Sequence, residues 1–263
     1  MRLVRALEAK KVRRERRLMV VEGEDLLEAA LDRGVRPAAV LVDAARASEI
    51  AGLLDRLGDL DERYAVPADL MARSATLATA PRVIAVLPQP GPVGFRDVAW
   101  PPVAGLWLGG VSDPGNVGTL VRSAAGLGAD WVALGPGSAD PFHPRAVRAA
   151  MGATFTLPLL EGVRADDIAT REGFAVVVAD AAEGVPPWDV DLAGPLVVAL
   201  GAERTGHDEA LDAVLAGGGL EVRRVRIPQA AGTESLNVAA AGAVLLAEAL
   251  RQRSTRNPDA GVL

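Results

Sequence analysis

From Val103 onward the chain alternates unbroken apolar runs with stretches of helical periodicity, and this alternation limits the fold more than any other feature. VAGLWLGG is followed by NVGTLVRSAAGLG, WVALG by PRAVRAAMGA, then FTLPLL, FAVVVAD and PLVVALG, then HDEALDAVL, VRRVRIP and an alanine-rich helix. A short apolar run without polar alternation reads as a strand buried on both faces, and helices between such strands are the crossovers that parallel pairing requires. The expectation over residues 103–263 is therefore an α/β domain with a mostly parallel sheet. Ligands of such sheets bind beyond the carboxyl ends of the strands, so the loops that follow strands are where chemistry is sought.

The first 88 residues read as a smaller α/β domain. A helix covers the basic arm MRLVRALEAKKVRRERR, a strand follows near Leu18 to Val21, a helix runs from Glu24 to Arg33 and stops at Gly34, and Val40 to Val42 forms a second strand. After IAVLP comes QPGPVGFRDVAWPP, whose prolines and glycines deny regular structure, so residues 89–102 are read as a linker.

Charge is unevenly distributed. Residues 1–17 hold eight Lys or Arg against two Glu, a balance of +6 in a chain whose net charge is −6, so the remainder sums to −12. A basic arm on an acidic body is either a solvated helix face or an RNA contact. With 3% aromatic residues there is little material for a base-stacking platform, and an RNA reading has to rest on phosphates and shape. The chain has no cysteine and two histidines, His143 and His207, which argues against a metal site. The charged first residues lack the apolar core of a signal peptide, and no uncharged apolar run is long enough to span a bilayer, so the expected address is cytoplasmic, with no membrane partner.

Three loops carry polar residues after apolar runs. In SDPGNVGTLVRSAAGLGAD, Gly115 and Gly118 flank Asn116, which suits a helix N-cap, and Arg122 lies six residues on. In LGAERTGHDEAL, Gly201 and Gly206 bracket Glu203. In IPQAAGTESLNVAAAGAVLL, Ser235 or Asn237 caps the last helix with Glu234 in support. Taken singly, each loop is explained by a turn and a cap. Glycine-rich dinucleotide and phosphate signatures and the serine elbow are missing, which removes dinucleotide, P-loop and serine hydrolase readings.

Taken together and in this order, the loops resemble the SpoU family of the SPOUT superfamily, the ribose 2'-O methyltransferases of RNA that include the TrmH group. The residues that carry the resemblance are Asn116, Gly118 and Arg122; Gly201, Glu203 and Gly206; and Pro228, Gly232, Glu234, Ser235, Leu236, Asn237 and Val238. DPFHPRAVRAAMGATFTLP resembles the family's acidic-Pro-Phe turn and basic helix, and KKVRRERRLMVVEGEDLLEAAL resembles its ribosomal-protein-like substrate-binding module. Ala202, Arg204, Thr205 and His207 depart from the family's usual residues.

The resemblance implies a deep trefoil knot near the last two loops and S-adenosylmethionine as cofactor, held by Leu200, Gly201, Ile227 and Leu236. It implies a homodimer whose active site uses both subunits, with the small residues Ala239 to Ala243 on a helix that packs either in the core or at the interface. Catalytic roles fall on Arg122, Asn116, Glu203, Ser235 and Asn237, and RNA contacts on Lys10, Lys11, Arg13, Arg14, Arg145 and Arg148. The implied substrate is structured RNA, large-subunit (23S) ribosomal RNA before transfer RNA; the competing reading is a non-catalytic RNA-binding protein of the same fold.

Overall fold

The structure is a computed structural model that describes residues 1–76, 79–180, 183–201, 217, 219–230 and 235–257. It divides into two compact units, Met1–Gly91 with Asp140–Thr156, and Pro92–Ala139 with Leu157–Leu263.

In the first unit the order is α1 (Arg2–Ala6), α2 (Lys10–Arg16), β1 (Leu18–Glu22), α3 (Glu24–Asp32), β2 (Ala39–Asp43), α4 (Ala51–Arg56), β3 (Arg63–Val66), α5 (Ala68–Ser74) and β4 (Val83–Pro88). The sheet order is β1-β4-β2-β3, with β4 antiparallel to both neighbours and β3 parallel to β2. Val20, Leu41, Ile84 and Val86 on one face pack against Val4, Leu7 and Met71 from the flanking helices. The basic arm differs from expectation: it forms two helices, interrupted between Leu7 and Ala9. The Arg13 guanidinium explains the break, because its Nη1 donates to Leu7 O and Glu8 O, both at 2.7 Å, and satisfies carbonyls left open where α1 ends.

The second unit carries β5 (Ala104–Leu108), α6 (Pro114–Gly126) and β6 (Trp131–Leu134). The chain then supplies α7 (Pro144–Ala150) to the first unit and returns as β7 (Leu159–Glu161), α8 (Ala165–Ala169), β8 (Ala175–Ala179), β9 (Leu196–Leu200), β10 (Glu221–Val225) and the last helix (Val238–Arg256). The six strands lie in the order β10-β8-β9-β5-β6-β7 and every pair is parallel. From β5 the chain moves outward through β6 and β7, then crosses to the other side of β5, so the β5/β9 boundary is the switch point where such sheets open a crevice. One face of the sheet buries Trp107, Trp131, Val176, Val178 and Val197 against Ile168 and Phe174. The last helix packs on α6 and β9.

Both boundaries drawn from the sequence shift. Residues 92–102 have neither helix nor strand, as their prolines require, yet they pack with the second unit. Trp100 stacks on Trp131 at 5.9 Å and meets Phe174 edge-on at 4.9 Å, so the stretch closes one end of the core rather than spanning open solvent. Residues 140–156, read from sequence as part of the methyltransferase domain, pack with the first unit because Asp140 is buried against Arg13. The helix expected over HDEALDAVL lies outside the described residues. Among the described residues no helix is long and apolar enough to cross a membrane.

Candidate active site

Two helices begin at the carboxyl edge of the parallel sheet, and their first turns decide which polar side chains are available. At the start of α6, Asp113 is the N-cap: its Oδ1 accepts from Asn116 N at 3.0 Å, and Pro114 takes the first helical position, where its missing N–H is harmless. Asn116 is thus the third residue of the helix and not its cap, which corrects the reading of its flanking glycines. Its side chain is released from capping. The last helix is capped by Asn237, whose Oδ1 accepts from Ala239 N at 2.9 Å and from Ala240 N at 3.3 Å. With Oδ1 committed to the helix, Nδ2 must point away from it, and it donates to Asn116 Oδ1 at 3.0 Å. The first and third loops are joined by that bond. Since both are helix N-termini, the junction also gathers two ends of positive partial charge.

The four residues expected to hold the cofactor follow from the same topology. Leu200 ends β9 and is buried, Gly201 is the next residue and half-buried, and Ile227 sits half-buried just past the end of β10. Leu236, 37% exposed, immediately precedes Asn237 and is one of the few large apolar side chains left open. Because β5, β9 and β10 run in one direction, Gly201, Ile227 and the Asp113 turn all belong to the same edge of the sheet. Near Ile227, the side-chain oxygen of Gln229 is buried without a hydrogen-bond partner among the described residues. A buried acceptor with no donor is a costly feature unless a ligand meets it. The adenine amino group and the hydroxyls and ammonium of S-adenosylmethionine are such donors, so the residues present fit that cofactor.

Arg122 is exposed on α6, whose inward face is taken by Val117, Gly118, Leu120, Val121 and Ala124. It has no hydrogen-bond or ion-pair partner among the described residues. Six residues of helix place it about 9 Å along the axis from Asn116. Asn116 therefore holds Asn237 rather than Arg122. Ser235 is exposed two residues before the cap. Glu203, Gly206, Gly232 and Glu234 lie outside the described residues. Among the described residues there is no group of three or more side chains able to hold a metal ion.

Of the basic residues assigned to RNA, Lys10, Lys11 and Arg14 are exposed on α2 and Arg145 is exposed on α7. Arg148 is partly covered: it donates to Thr76 Oγ1 at 3.3 Å and lies 3.8 Å from Glu22. Arg13 is a correction. Its side chain is 1% exposed, with Nε and Nη2 donating to Asp140 Oδ2 at 2.9 and 2.6 Å and Nη1 donating to Leu7 O and Glu8 O, so the guanidinium is buried, has four of its five N–H donors engaged inside the protein, and is out of reach of a phosphate. The sequence reading missed Asp113 and Gln229. An aspartate directly before a proline at a helix start was a readable signal for the first; nothing in the sequence marks the second.

Residues 104–247 match the SpoU rRNA Methylase family. An uncharacterised tRNA/rRNA methyltransferase of Synechocystis is 30% identical over 95% of this chain and 90% of its own length. The 23S rRNA (guanosine(2553)-2'-O)-methyltransferase RlmP of Bacillus subtilis is 29% identical, over 91% of each chain. Among solved structures, the AdoMet-bound rRNA methyltransferase of Sinorhizobium meliloti superposes with a TM-score of 0.79 at 30% identity, covering 95% of this chain and 93% of its own.

Proposed function

The chain belongs to the SpoU rRNA methylase family, and from that premise we propose that it methylates a ribose 2'-hydroxyl of 23S ribosomal RNA with S-adenosylmethionine as donor. The observation that carries the reading is the Asn237–Asn116 hydrogen bond, which brings two of the three family loops together beside a sheet edge fitted for the cofactor. Bound S-adenosylmethionine supplies a methyl group made electrophilic by its sulfonium. The protein's part is to hold, orient and polarise.

Leu200, Gly201, Ile227 and Leu236 form the adenosine wall, and Gln229 Oε1 accepts from a cofactor donor. Arg122, held outward on a rigid helix, binds the phosphate beside the target ribose and donates to the 2'-oxygen as negative charge develops there, while the hydroxyl proton passes to water. A guanidinium is a donor and not a base at neutral pH, so its contribution is electrostatic. Asn116 and Asn237 act as one unit that fixes the two helix starts, and Ser235 and Glu203 complete the hydrogen-bonding shell around the ribose.

Two further features belong to the same reading. The chain between β9 and the last helix is threaded as a trefoil knot, an exception to the usual rule against threaded connections. The active form is a homodimer, supported by an exposed apolar stripe on the last helix in which Ala240, Val244 and Ala247 recur at helical spacing. Beside it lies an open groove of about 460 Å³ lined by Leu127, Ala247, Leu250 and Thr255. A cytoplasmic site of action goes with a ribosomal RNA substrate.

The test is transfer of labelled methyl from S-adenosylmethionine to a 23S rRNA transcript, followed by mapping of alkali-resistant linkages. Label at one ribose, lost in Arg122→Ala, is the expected result. Label on a base, label only on transfer RNA, or no transfer by a protein that binds the cofactor would overturn the proposal.

A further inference from the structure

Residues 140–156 lie in sequence between β6 and β7, two strands of the catalytic sheet, yet they pack in the first unit. Three separate contacts hold them there. Arg13 meets Asp140 with two donors, at 2.9 and 2.6 Å, in a pair where both side chains are at most 5% exposed. Arg148 reaches Thr76 Oγ1 at 3.3 Å, and Thr76 in turn donates its backbone N–H to Glu22 at 2.7 Å. Gly152, at φ +88°, lies so close to α3 that an added Cβ would stand 2.8 Å from Ala29 Cβ.

The buried pair governs more than its own atoms. Asp140 Oδ1 accepts from Phe142 N at 2.9 Å, Asp140 O accepts from His143 N at 3.0 Å, and His143 Nδ1 accepts from Arg145 N at 3.1 Å. The position of the Asp140 carboxylate is thereby passed, bond by bond, to the first turn of α7 and to Arg145. On the other side of the pair, Lys10 and Arg14 are four residues apart on one face of α2 and exposed, while Arg13 between them turns inward. Arg13, Arg145 and Arg148 all act electrostatically on His143, with Asp140 opposing them, so cationic groups from both segments crowd one place.

We propose that α2 and the 140–156 segment together form one phosphate-binding surface for structured RNA, and that the buried Arg13–Asp140 pair is the positioning device that aligns Arg145 with Lys10 and Arg14. Neither member of the pair touches RNA. Arg13 is spent internally, and its role is to hold α7 where Arg145 can meet a backbone phosphate that α2 also engages. The partner is RNA because the surface offers exposed cations and no aromatic platform, which suits phosphates along a duplex or folded strand. This inference rests on the proposal that the protein acts on ribosomal RNA.

The experiment measures affinity of the full chain for a 23S rRNA transcript across a salt series, with the dissociation constant for S-adenosylmethionine as a check of integrity. Arg145→Ala is expected to weaken RNA binding about threefold to tenfold and to reduce the slope of log affinity against log salt by about one. Arg13→Met, with cofactor affinity retained, is expected to match or exceed that loss and to lower the slope as well, although Arg13 is itself buried.

The decisive readout is coupling. In the Arg13→Met background, Arg145→Ala is expected to add little, because the arginine is already misplaced; a merely structural role for Arg13 would leave the two effects additive. Additive effects overturn the positioning role. If Arg13→Met fails to fold, the exposed-site variants still decide the surface: Arg145→Ala and Lys10→Ala are each expected to lower affinity and slope, and Arg145→Ala with unchanged affinity and slope overturns it. A wild-type protein that neither binds nor methylates the transcript sinks the functional proposal instead, whereas one that methylates while Arg145→Ala is silent sinks only this inference.

Discussion

Asn237 Nδ2 donates to Asn116 Oδ1 at 3.0 Å across 121 positions of sequence, while the other end of the same amide caps the last helix. One side chain therefore has two separable duties, and replacing it by aspartate removes only one. Asn237→Asp keeps an acceptor for Ala239 N and adds a negative charge at a helix N-terminus, but it cannot donate to Asn116. It is expected to retain wild-type stability to chemical denaturation while methyl transfer falls by about tenfold or more. Asn237→Ala loses both duties, so it should show the same loss of transfer and in addition about 1 kcal/mol of stability. If the aspartate variant transfers methyl at the wild-type rate, the bond between the two loops has no catalytic weight.

Arg122 offers the opposite separation. It is exposed and has no partner among the described residues, so truncation removes no native contact. Arg122→Ala should change stability by no more than about 0.5 kcal/mol. Loss of a donor to a developing oxyanion should lower the rate of transfer by about 10²–10³-fold, with cofactor affinity intact. Arg122→Lys should recover only part of that rate, because an ammonium cannot span a phosphate and the neighbouring oxygen with a planar fork. Single-turnover methylation with saturating cofactor measures all three.

The alternation that starts at Val103 was enough to read a parallel sheet, because strands such as Val176 to Val178 and Val197 to Ala199 are buried on both faces and leave no polar period to mislead. A cap on the last helix was readable locally as Ser235 or Asn237, and the structure gives it to Asn237. What was not readable depended on distant partners. The break at Leu7 has no glycine or proline to announce it; it is satisfied by Arg13, and Arg13 turns inward only because Asp140 waits 127 positions away. A run of exposed arginines and one with a buried member look alike in sequence, since burial of a charge is decided by its counter-ion. Likewise, the apolar face of α7 has the period of a helix whichever unit it covers.

His143 supplies a pH dependence with a definite sign. Burial first, then Arg13, Arg145 and Arg148, push its pKa below the ordinary 6.5, with Asp140 opposing. The unfolded chain returns the imidazole to about 6.5. Above that value both states are neutral and the group leaves stability untouched; as pH falls below it, the unfolded state takes up the proton first, so stability is lost as pH drops through the folded-state pKa. Denaturation series between about pH 5 and pH 8 should show this decline, and His143→Gln should flatten it. An unchanged slope in the variant would remove His143 from the account.

Gly242 faces the core, where an added Cβ would meet Leu120 Cδ2 at 2.4 Å and Leu200 Cδ1 at 2.8 Å. Alanine gains up to about 1 kcal/mol in helix propensity. Overpacking typically removes about 1–3 kcal/mol, and here both leucines are at most 1% exposed, so they would have to repack inside the core. The clash is expected to win, leaving Gly242→Ala less stable. Since Leu200 directly precedes Gly201, displacement of its side chain should also raise the KM for S-adenosylmethionine. Calorimetry and a cofactor titration separate the two effects; a stabilised variant with unchanged KM would show that the leucines give way freely.

Val244 is 40% exposed at the centre of the stripe formed with Ala240 and Ala247, on the helix face turned away from Gly242 and Leu245. In the proposed homodimer a second copy of the same helix would cover this side chain, and a two-fold contact would place each changed residue near its own symmetry mate. Val244→Glu would set like charges close together in a surface losing its water, a combination that is unfavourable both electrostatically and through desolvation. The variant should run as a monomer by light scattering at about 10 µM, a concentration at which a stable homodimer remains associated. Because the proposed active site draws on both subunits, methyl transfer should fall with dimer content and recover as protein concentration is raised. A Val244→Glu dimer with full activity would move the interface elsewhere, and a wild-type monomer that transfers methyl at full rate would end the two-subunit site.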